Sequence, residues 1–342
     1  MNKIACGDCI EILSAIKKPF ADLVFADPPF NIGYNYDKYH DKVESKNYLD
    51  WSRDWIKACK NVLKPNGSFY IAIGDDYAAQ LKLIAEDLGL ILRNWIIWHY
   101  TFGQQTKAKF ARAHTHIFYF VNDKKDFTFN DFAVRVPSDR QLIYNDKRAD
   151  SRGKMPDDVW NQFSRVCGTF KEREGWHPCQ MPESVLKRII AVSSNPGGIV
   201  LDPFMGSGTT AAAAVQLNRN FFGTELSDQY AENALKRIEQ LKEPDSKSFF
   251  ASLTPLEVTE LKRLFADINI ESRSIVNDKN LLNLFTNQFN LRMNNGKQYD
   301  SQTITAALES LQIDYWNGQA ARMDRVNVCR QNKDSQKNDS LF

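Results

Sequence analysis

The chain alternates short runs of β-branched and aromatic residues with longer stretches whose apolar positions recur every three or four residues. Short apolar runs of about four to eight residues predict strands, and 3.6-residue periodicity predicts amphipathic helices. On that pattern, strands are expected at Lys3–Cys6, Leu23–Ala26, Ser68–Ile73, Ile91–Trp98, His116–Val121, Ile199–Leu201 and Phe221–Thr224. Helices are expected at Tyr48–Leu63, closed by the turn signal Lys64-Pro65-Asn66-Gly67, and at Asp76–Leu88, closed by Gly89. Pro182 opens another that runs through Ser194, and Thr209–Leu217 and Asp228–Leu241 complete the set. Alternation of this kind predicts an α/β protein with a mostly parallel sheet.

Two segments break the rhythm. Thr101–Trp176 is polar and aperiodic apart from His116–Val121, and a stretch of that length is functional or mobile rather than core. Residues 103–175 carry fourteen basic and ten acidic side chains, a local excess of +4 in a chain whose net charge is +2. Residues 245–342 form another unit, with short helices expected at Thr254–Asp267, Lys279–Phe289 and Asp300–Leu311. Leu256, Val258, Leu261, Leu264 and Phe265 suit a small core there, and the polar tail from Gln331 is expected to be disordered.

A chain of 342 residues can hold one large domain and an accessory one. With 44 basic against 42 acidic residues there is no global polyanion signature, so any nucleic-acid surface must be local. The absence of a long apolar run or a basic-then-apolar leader predicts a soluble, unexported, cytoplasmic protein without membrane association. Six scattered cysteines fit a reducing compartment. Cys6 and Cys9 form a C-x-x-C, but no second pair lies at ligand spacing, so no metal is expected.

Two motifs carry the candidate chemistry. The apolar run Ile199-Val200-Leu201 ends on Asp202-Pro203-Phe204-Met205-Gly206-Ser207-Gly208-Thr209-Thr210. Its glycines let backbone approach a ligand, and Glu225, about twenty residues on, ends the next strand where an acid can accept from ribose hydroxyls. A ligand-free turn or a nicotinamide site explains the glycines but not the preceding Asp-Pro-Phe. The other run, Leu23–Ala26, ends on Asp27-Pro28-Pro29-Phe30. A carboxylate and the Pro28 carbonyl, each accepting one hydrogen of an exocyclic amine, would aim the nitrogen lone pair at a methyl donor. The prolines stiffen the turn and remove competing donors, and Phe30 offers a face for a flipped base. Gly7-Asp8 follows the first strand and, alone, is an ordinary surface turn.

Together the two motifs resemble those of the S-adenosylmethionine-dependent DNA amino-methyltransferases. Their order, catalytic before cofactor, resembles the permuted beta class, over roughly residues 1–240. The resemblance implies a class I methyltransferase (Rossmann-like) sheet, circularly permuted, with an irregular insertion and a small helical C-terminal domain. It implies S-adenosyl-L-methionine as cofactor and double-stranded DNA as partner. Asp in first place favours adenine N6 over cytosine N4. Implied cofactor contacts are Asp27, Asp202, Pro203, Phe204, Gly206, Ser207, Gly208, Thr209 and Glu225, with Asp8 and the N–H of Cys9 meeting the adenine ring. His177 and Gln180 join them from His177-Pro178-Cys179-Gln180-Met181-Pro182, which resembles the family's His-Pro-Thr-Gln-Lys-Pro segment except at Cys179 and Met181.

Residues 101–175, around the 116–122 strand, occupy the place of the family's target-recognition region. Tyr34, Lys107, Lys109, Arg112, Arg140, Lys147, Arg148 and Arg152 are the candidate DNA contacts, with Arg135 and Lys154 beside them. Residues 1–100, 116–122 and 176–243 would form the catalytic core, and 245–330 a helical accessory domain. The Asn31–Lys42 stretch either closes over a flipped base or packs on the surface. Family habit adds a homodimer and a cognate restriction endonuclease as expected partners. A cytosine N4 enzyme shares nearly all of these features and is separated from an adenine N6 enzyme only by its product. Three other rivals fit less well. Pro178-Cys179-Gln180 matches the nucleophile motif of cytosine C5-methyltransferases but precedes the glycines, whereas that class has it after them. Protein-glutamine methyltransferases begin the turn with Asn and place the glycines first. A DNA reader without catalysis would not need Asp27, Asp202 and Glu225 intact.

Overall fold

The computed structural model describes residues 2–104, 106–142, 144, 146, 148–168, 170, 172–241 and 253–315. Lys147 and the tail from Gln331 lie outside the described residues. The strands are β1 (Lys3–Cys6), β2 (Ala21–Ala26), β3 (Leu63–Ile73), β4 (Ile91–Gln104), β5 (Arg112–Val121), β6 (Val159–Trp160), β7 (Ile199–Asp202) and β8 (Asn220–Glu225). The helices before the insertion are α1 (Cys9–Ser14), α2 (Ser45–Val62) and α3 (Ala78–Asp87), and a single turn, α4 (Asp139–Leu142), lies within it. After it come α5 (Glu183–Ser193), α6 (Thr209–Gln216), α7 (Asp228–Gln240), α8 (Pro255–Ile268), α9 (Ser272–Asn277), α10 (Lys279–Met293) and α11 (Ser301–Tyr315).

All eight strands form one sheet in the order β1-β8-β7-β2-β3-β5-β4-β6. Pairing is parallel from β1 to β3, and β5 runs antiparallel to both β3 and β4. Alternate residues of β2 feed two cores. Val24 and Ala26 pack with α1, α2 and α3, whereas Leu23 and Phe25 pack with α5, α6 and α7. Helix α2 shows why the periodicity was legible: Tyr48, Ser52, Trp55, Ile56, Cys59 and Val62 are buried at helical spacing. Between β7 and β2 the chain turns in opposite senses, β7 leading to β8 and β2 to β3. This makes their carboxyl ends the topological switch point, where ligands of open α/β sheets bind.

Three expectations need correction. Lys64-Pro65-Asn66-Gly67 does not separate helix from sheet, because α2 passes directly into β3. The register jumps from Ala21↔Leu63 to Leu23↔Ser68, so those four residues bulge out of the ladder, with Lys64 anchored to the Asp22 carboxylate at 2.8 Å. The insertion is also less irregular than its composition implies. β4 continues past Trp98 to Gln104, β5 starts at Arg112, and Val159–Trp160 adds an edge strand against β4. Finally, the C-terminal unit has four described helices, the extra one being α9, whose six residues are too few to show a period.

Helices α8–α11 enclose a third core around Leu261, Leu264, Phe285, Phe289, Ile304 and Leu308. Buried charged side chains help attach it to the rest, with Arg263 and Arg292 donating to the carbonyls of Ala133 and Arg135. Asp267 of α8 meets Arg188 of α5 and Arg292 of α10 at 2.8 Å each, and Glu260 holds Arg263 at 2.8 Å, all with side chains at most 8% exposed. Burial works to raise the Asp267 pKa, but the Arg188, Arg292 and Arg263 guanidiniums overcome it and leave the carboxyl below its ordinary range. Arg188 also lies over the rings of Trp160 (5.0 Å) and Phe163 (4.4 Å).

Candidate active site

Four strand ends converge on one cleft of about 530 Å³, a size suited to a small-molecule ligand. Asp27 follows β2, Asp202 ends β7, Glu225 ends β8 and Gly7-Asp8 follows β1. The cleft brings together most of the residues expected to hold a cofactor: Asp8, Cys9, Asp27, His177, Gln180, Asp202, Pro203, Phe204, Gly206, Ser207, Thr209 and Glu225 line it. Pro28, Pro29, Phe30 and Tyr34 line it as well.

The glycine turn is braced from three sides. The Asp202 carboxylate accepts from the Phe204 N–H at 2.9 Å and from the Thr210 hydroxyl at 2.5 Å. Glu225 accepts from the Gly206 N–H (2.8 Å) and, through its other oxygen, from the Ser227 N–H (3.0 Å). Met205 N–H donates to the Thr224 carbonyl, tying the turn to β8. Gly208 has φ +75° and opens α6, and a Cβ there would stand 2.9 Å from Cβ of Ala234. Gly208 and Thr209 therefore hold the turn together. Thr209 accepts from Arg237 at 3.1 Å.

Asp8 is partly committed to the fold, since one carboxylate oxygen caps α1 by accepting from the N–H groups of Ile10 (2.7 Å) and Glu11 (3.2 Å). Gln180 stitches its own loop, accepting from the Glu174 N–H and donating to the Glu172 carbonyl. His177 packs its ring against Tyr230, and its Nδ1 has no hydrogen-bond partner. Burial lowers its pKa to about 4, so the imidazole is neutral. A Cβ on Gly206 would meet His177 Nε2 at 2.9 Å, which keeps that glycine bare.

At the other end of the cleft the tetrad is rigidly seated. The Tyr48 hydroxyl donates to the Pro29 carbonyl at 2.7 Å, and Phe30 lies so close to the Gly74 backbone that a Cβ there would stand 3.2 Å from its ring. Burial and the neighbouring Asp202 raise the Asp27 pKa to about 7, against a lowering influence from Arg165. Burial likewise raises Asp202 to about 7 and pushes the Cys179 thiol to about 11, with Asp27 adding to it. Such a thiol is protonated and is no thiolate nucleophile.

The Asn31–Lys42 segment roofs the cleft. Its Asp41, 1% exposed, accepts from the N–H groups of Asn31, Ile32 and Tyr34. Its tip reaches α7, where the Ser227 hydroxyl donates to Asp37 at 2.6 Å and Lys38 pairs with Asp228 at 2.5 Å. The Cys6 thiol donates to that same Asp228 (2.6 Å), while Cys9 is buried.

The proposed DNA contacts divide. Lys107, Lys109 and Arg140 are exposed, and Arg148 and Arg152 are exposed but paired with Asp146 and Asp150 of their own loop. Arg112 binds Asp75 at 2.8 Å and Asp76 at 3.1 Å, so it fastens β5 rather than standing free. Arg135 also turns inward, to Asp131 and the Gly153 carbonyl. Arg165, Trp51 and Tyr100 line the cleft without having been singled out. Arg165 lies over the Tyr100 ring at 5.6 Å. It sits in the aperiodic insertion, where nothing in the sequence separates it from thirteen other cations.

A family model described as DNA methylase matches residues 21–236, a span that contains both motifs and most of the sheet. The chain belongs to this DNA methylase family. The methylase is 37% identical over 239 residues to the type II methyltransferase M.HpaI of Haemophilus parainfluenzae, a match covering 70% of this chain and 74% of that one. It is 38% identical over 241 residues to the DNA adenine methyltransferase YhdJ of Escherichia coli (strain K12), covering 68% and 81%. Among solved structures, the M1.HpyAVI–SAM complex superposes with a TM-score of 0.51 at 24% identity, covering 70% of the methylase and 99% of that chain. That likeness is one of fold, and it extends the α/β methyltransferase architecture to this sheet. No described helix of the methylase is long and apolar enough to cross a membrane.

Proposed function

We propose that this methylase transfers a methyl group from S-adenosyl-L-methionine to the N6 amine of a flipped adenine in double-stranded DNA. The observation that carries the reading is convergence. Asp27-Pro28-Pro29-Phe30 and the Asp202–Thr210 turn, about 170 residues apart, line one cleft at the sheet's switch point. The donor set suits the cofactor. Asp8 and Glu225 line the cleft with carboxylates that can accept from hydroxyl and amino donors, and His177 Nδ1 is buried and unpaired. When bound, S-adenosyl-L-methionine supplies an electrophilic methyl on a cationic sulfonium. Asp27 and the Pro28 carbonyl accept the amine hydrogens, Phe30 stacks on the base, and the Asn31–Lys42 roof excludes water. The YhdJ name supports adenine as the base, and the type II name of M.HpaI supports pairing with a restriction endonuclease. Residues 101–175 are assigned to target recognition.

The test is a nucleoside digest of DNA incubated with the protein and labelled cofactor. Label in N6-methyladenine is expected. Label in N4-methylcytosine would move the reading to the other amine, and label in C5-methylcytosine would move the chemistry to Cys179.

Cofactor binding should depend on pH. Asp27 and Asp202 are raised to about 7 in the folded protein, so between about pH 4 and 7 they hold protons that the unfolded chain releases. Rising pH across that window therefore lowers the stability of the free protein, and the charge uncovered near pH 7 favours a cation. The thermal upshift by S-adenosylmethionine is expected to be larger at pH 8 than at pH 6. S-adenosylhomocysteine, whose thioether sulfur carries no charge, should show a smaller difference. Equal pH dependence for the two ligands would contradict this placement of the carboxylates.

A further inference from the structure

The β4–β5 hairpin carries a side chain that the cleft does not use. Phe110 is 99% exposed, the most exposed large apolar residue described. It stands at the end of the turn between the two strands, just past Lys107 and Lys109, both exposed. The turn is built. The Thr106 hydroxyl bridges it by donating to the Lys109 carbonyl and accepting from the Lys109 N–H. Close approach of the strands behind it requires Gly103, where a Cβ would stand 2.7 Å from the Arg112 carbonyl oxygen.

The hairpin is also tied to the catalytic end of the cleft. Two residues after Phe110, Arg112 binds Asp75 and Asp76, which directly follow Gly74, the residue under the Phe30 ring. Arg112, His114 and Thr115 then line the cleft itself. Two residues of chain can reach at most about 7 Å, so Phe110 stays that close to Arg112 at the cleft.

From this placement we infer that Phe110 is a wedge that enters the base stack beside the target nucleotide and occupies the gap left when that nucleotide turns into the cleft. The inference rests on the DNA methylase reading and adds to it a residue for the flipping step. An exposed aromatic ring has an apolar face for which stacked bases are a natural partner. Lys107 and Lys109, on the approach to the ring, suit contact with nearby phosphates. Unstacking the target is the step such a ring favours, so its removal matters most where the target pair is intact.

The test begins by mapping the labelled site and making two duplexes, one fully paired and one mismatched at the target. Phe110→Ala and Phe110→Trp are compared with wild type, with thermal melts as a folding control. On paired DNA, Phe110→Ala is expected to lose about 10- to 100-fold in kcat/KM. The loss should shrink to within a few-fold on the mismatch, and Phe110→Trp should retain most activity on both. The fluorescence of 2-aminopurine at the target should rise with wild type on paired DNA and stay low with Phe110→Ala. Equal losses on both duplexes, or no loss on either, would overturn the wedge. Failure of the wild type to label any DNA would overturn the underlying reading and the wedge with it.

Discussion

Asp27→Asn is expected to leave a folded cleft that still binds S-adenosylhomocysteine while lowering turnover on DNA by about 10³-fold. The substitution keeps volume and shape but exchanges an acceptor pair for an amide that donates as well as accepts. One hydrogen of the target amine then meets an NH₂ group, and the nitrogen is no longer drawn toward the methyl donor. The surroundings make the site hard to rescue: Tyr48 fixes the Pro29 carbonyl and Phe30 is seated on Gly74, so the turn has little room to re-aim another group. The same carboxyl should set the acid limb of the wild-type rate profile. Ionised, it accepts through both oxygens and donates through neither; burial together with Asp202 holds it near 7 in the free protein and the bound cation draws that value down, so turnover should fall at a pH below 7. Single-turnover rates measured with saturating cofactor are the check. Turnover within tenfold of wild type would remove Asp27 from the chemistry.

The second large effect concerns stability. Asp267→Ala is expected to destabilise the protein by about 3–5 kcal/mol in urea titrations, because it strips buried Arg188 of its counter-charge and leaves buried Arg292 only Glu260, 3.6 Å away. Arg188 and Arg292 each stand 2.8 Å from the Asp267 carboxylate, and neither has water to turn to. The damage should spread inward. Arg188 also covers Trp160 and Phe163, and the Phe163 carbonyl accepts from the Trp98 indole at 2.9 Å on the wall of the cleft. A loss below about 1 kcal/mol would mean that these ion pairs contribute little to holding the helical unit.

What the sequence showed and what it hid follow from period and reach. Strand ends that carry a motif were legible because apolar run, acid and glycine lie in unbroken order, as at Leu201-Asp202 and Ala26-Asp27. Helix α2 was legible from its burial rhythm, but its end was not. A Pro-Asn-Gly turn and a Pro-Asn-Gly bulge read alike until the register with Ala21 and Leu23 is known. Side chains in the insertion were least legible. Arg112, Arg135 and Arg165 share a composition, yet one clamps β5, one closes a loop and one faces the cleft, because each finds a partner distant in sequence. The Arg188–Asp267 pair, 79 residues apart, left no local trace at all.

One pairing in the sheet has a consequence for the order in which the protein is made. Lys3 lies beside Phe222, so β1 waits for β8, the last described strand of the sheet in chain order, before it has a neighbour. The tetrad and its supporting helix are synthesised early, whereas Glu225, the glycine turn and the partner of β1 all arrive late. Closing so long a loop is also a slow step. A chain interrupted between Phe30 and Asn220 therefore carries Asp27-Pro28-Pro29-Phe30 but lacks Glu225 and the partner of β1. Such copies lack one wall of the cleft, whose last lining residue is Tyr230, about two-thirds of the way along the 342-residue chain.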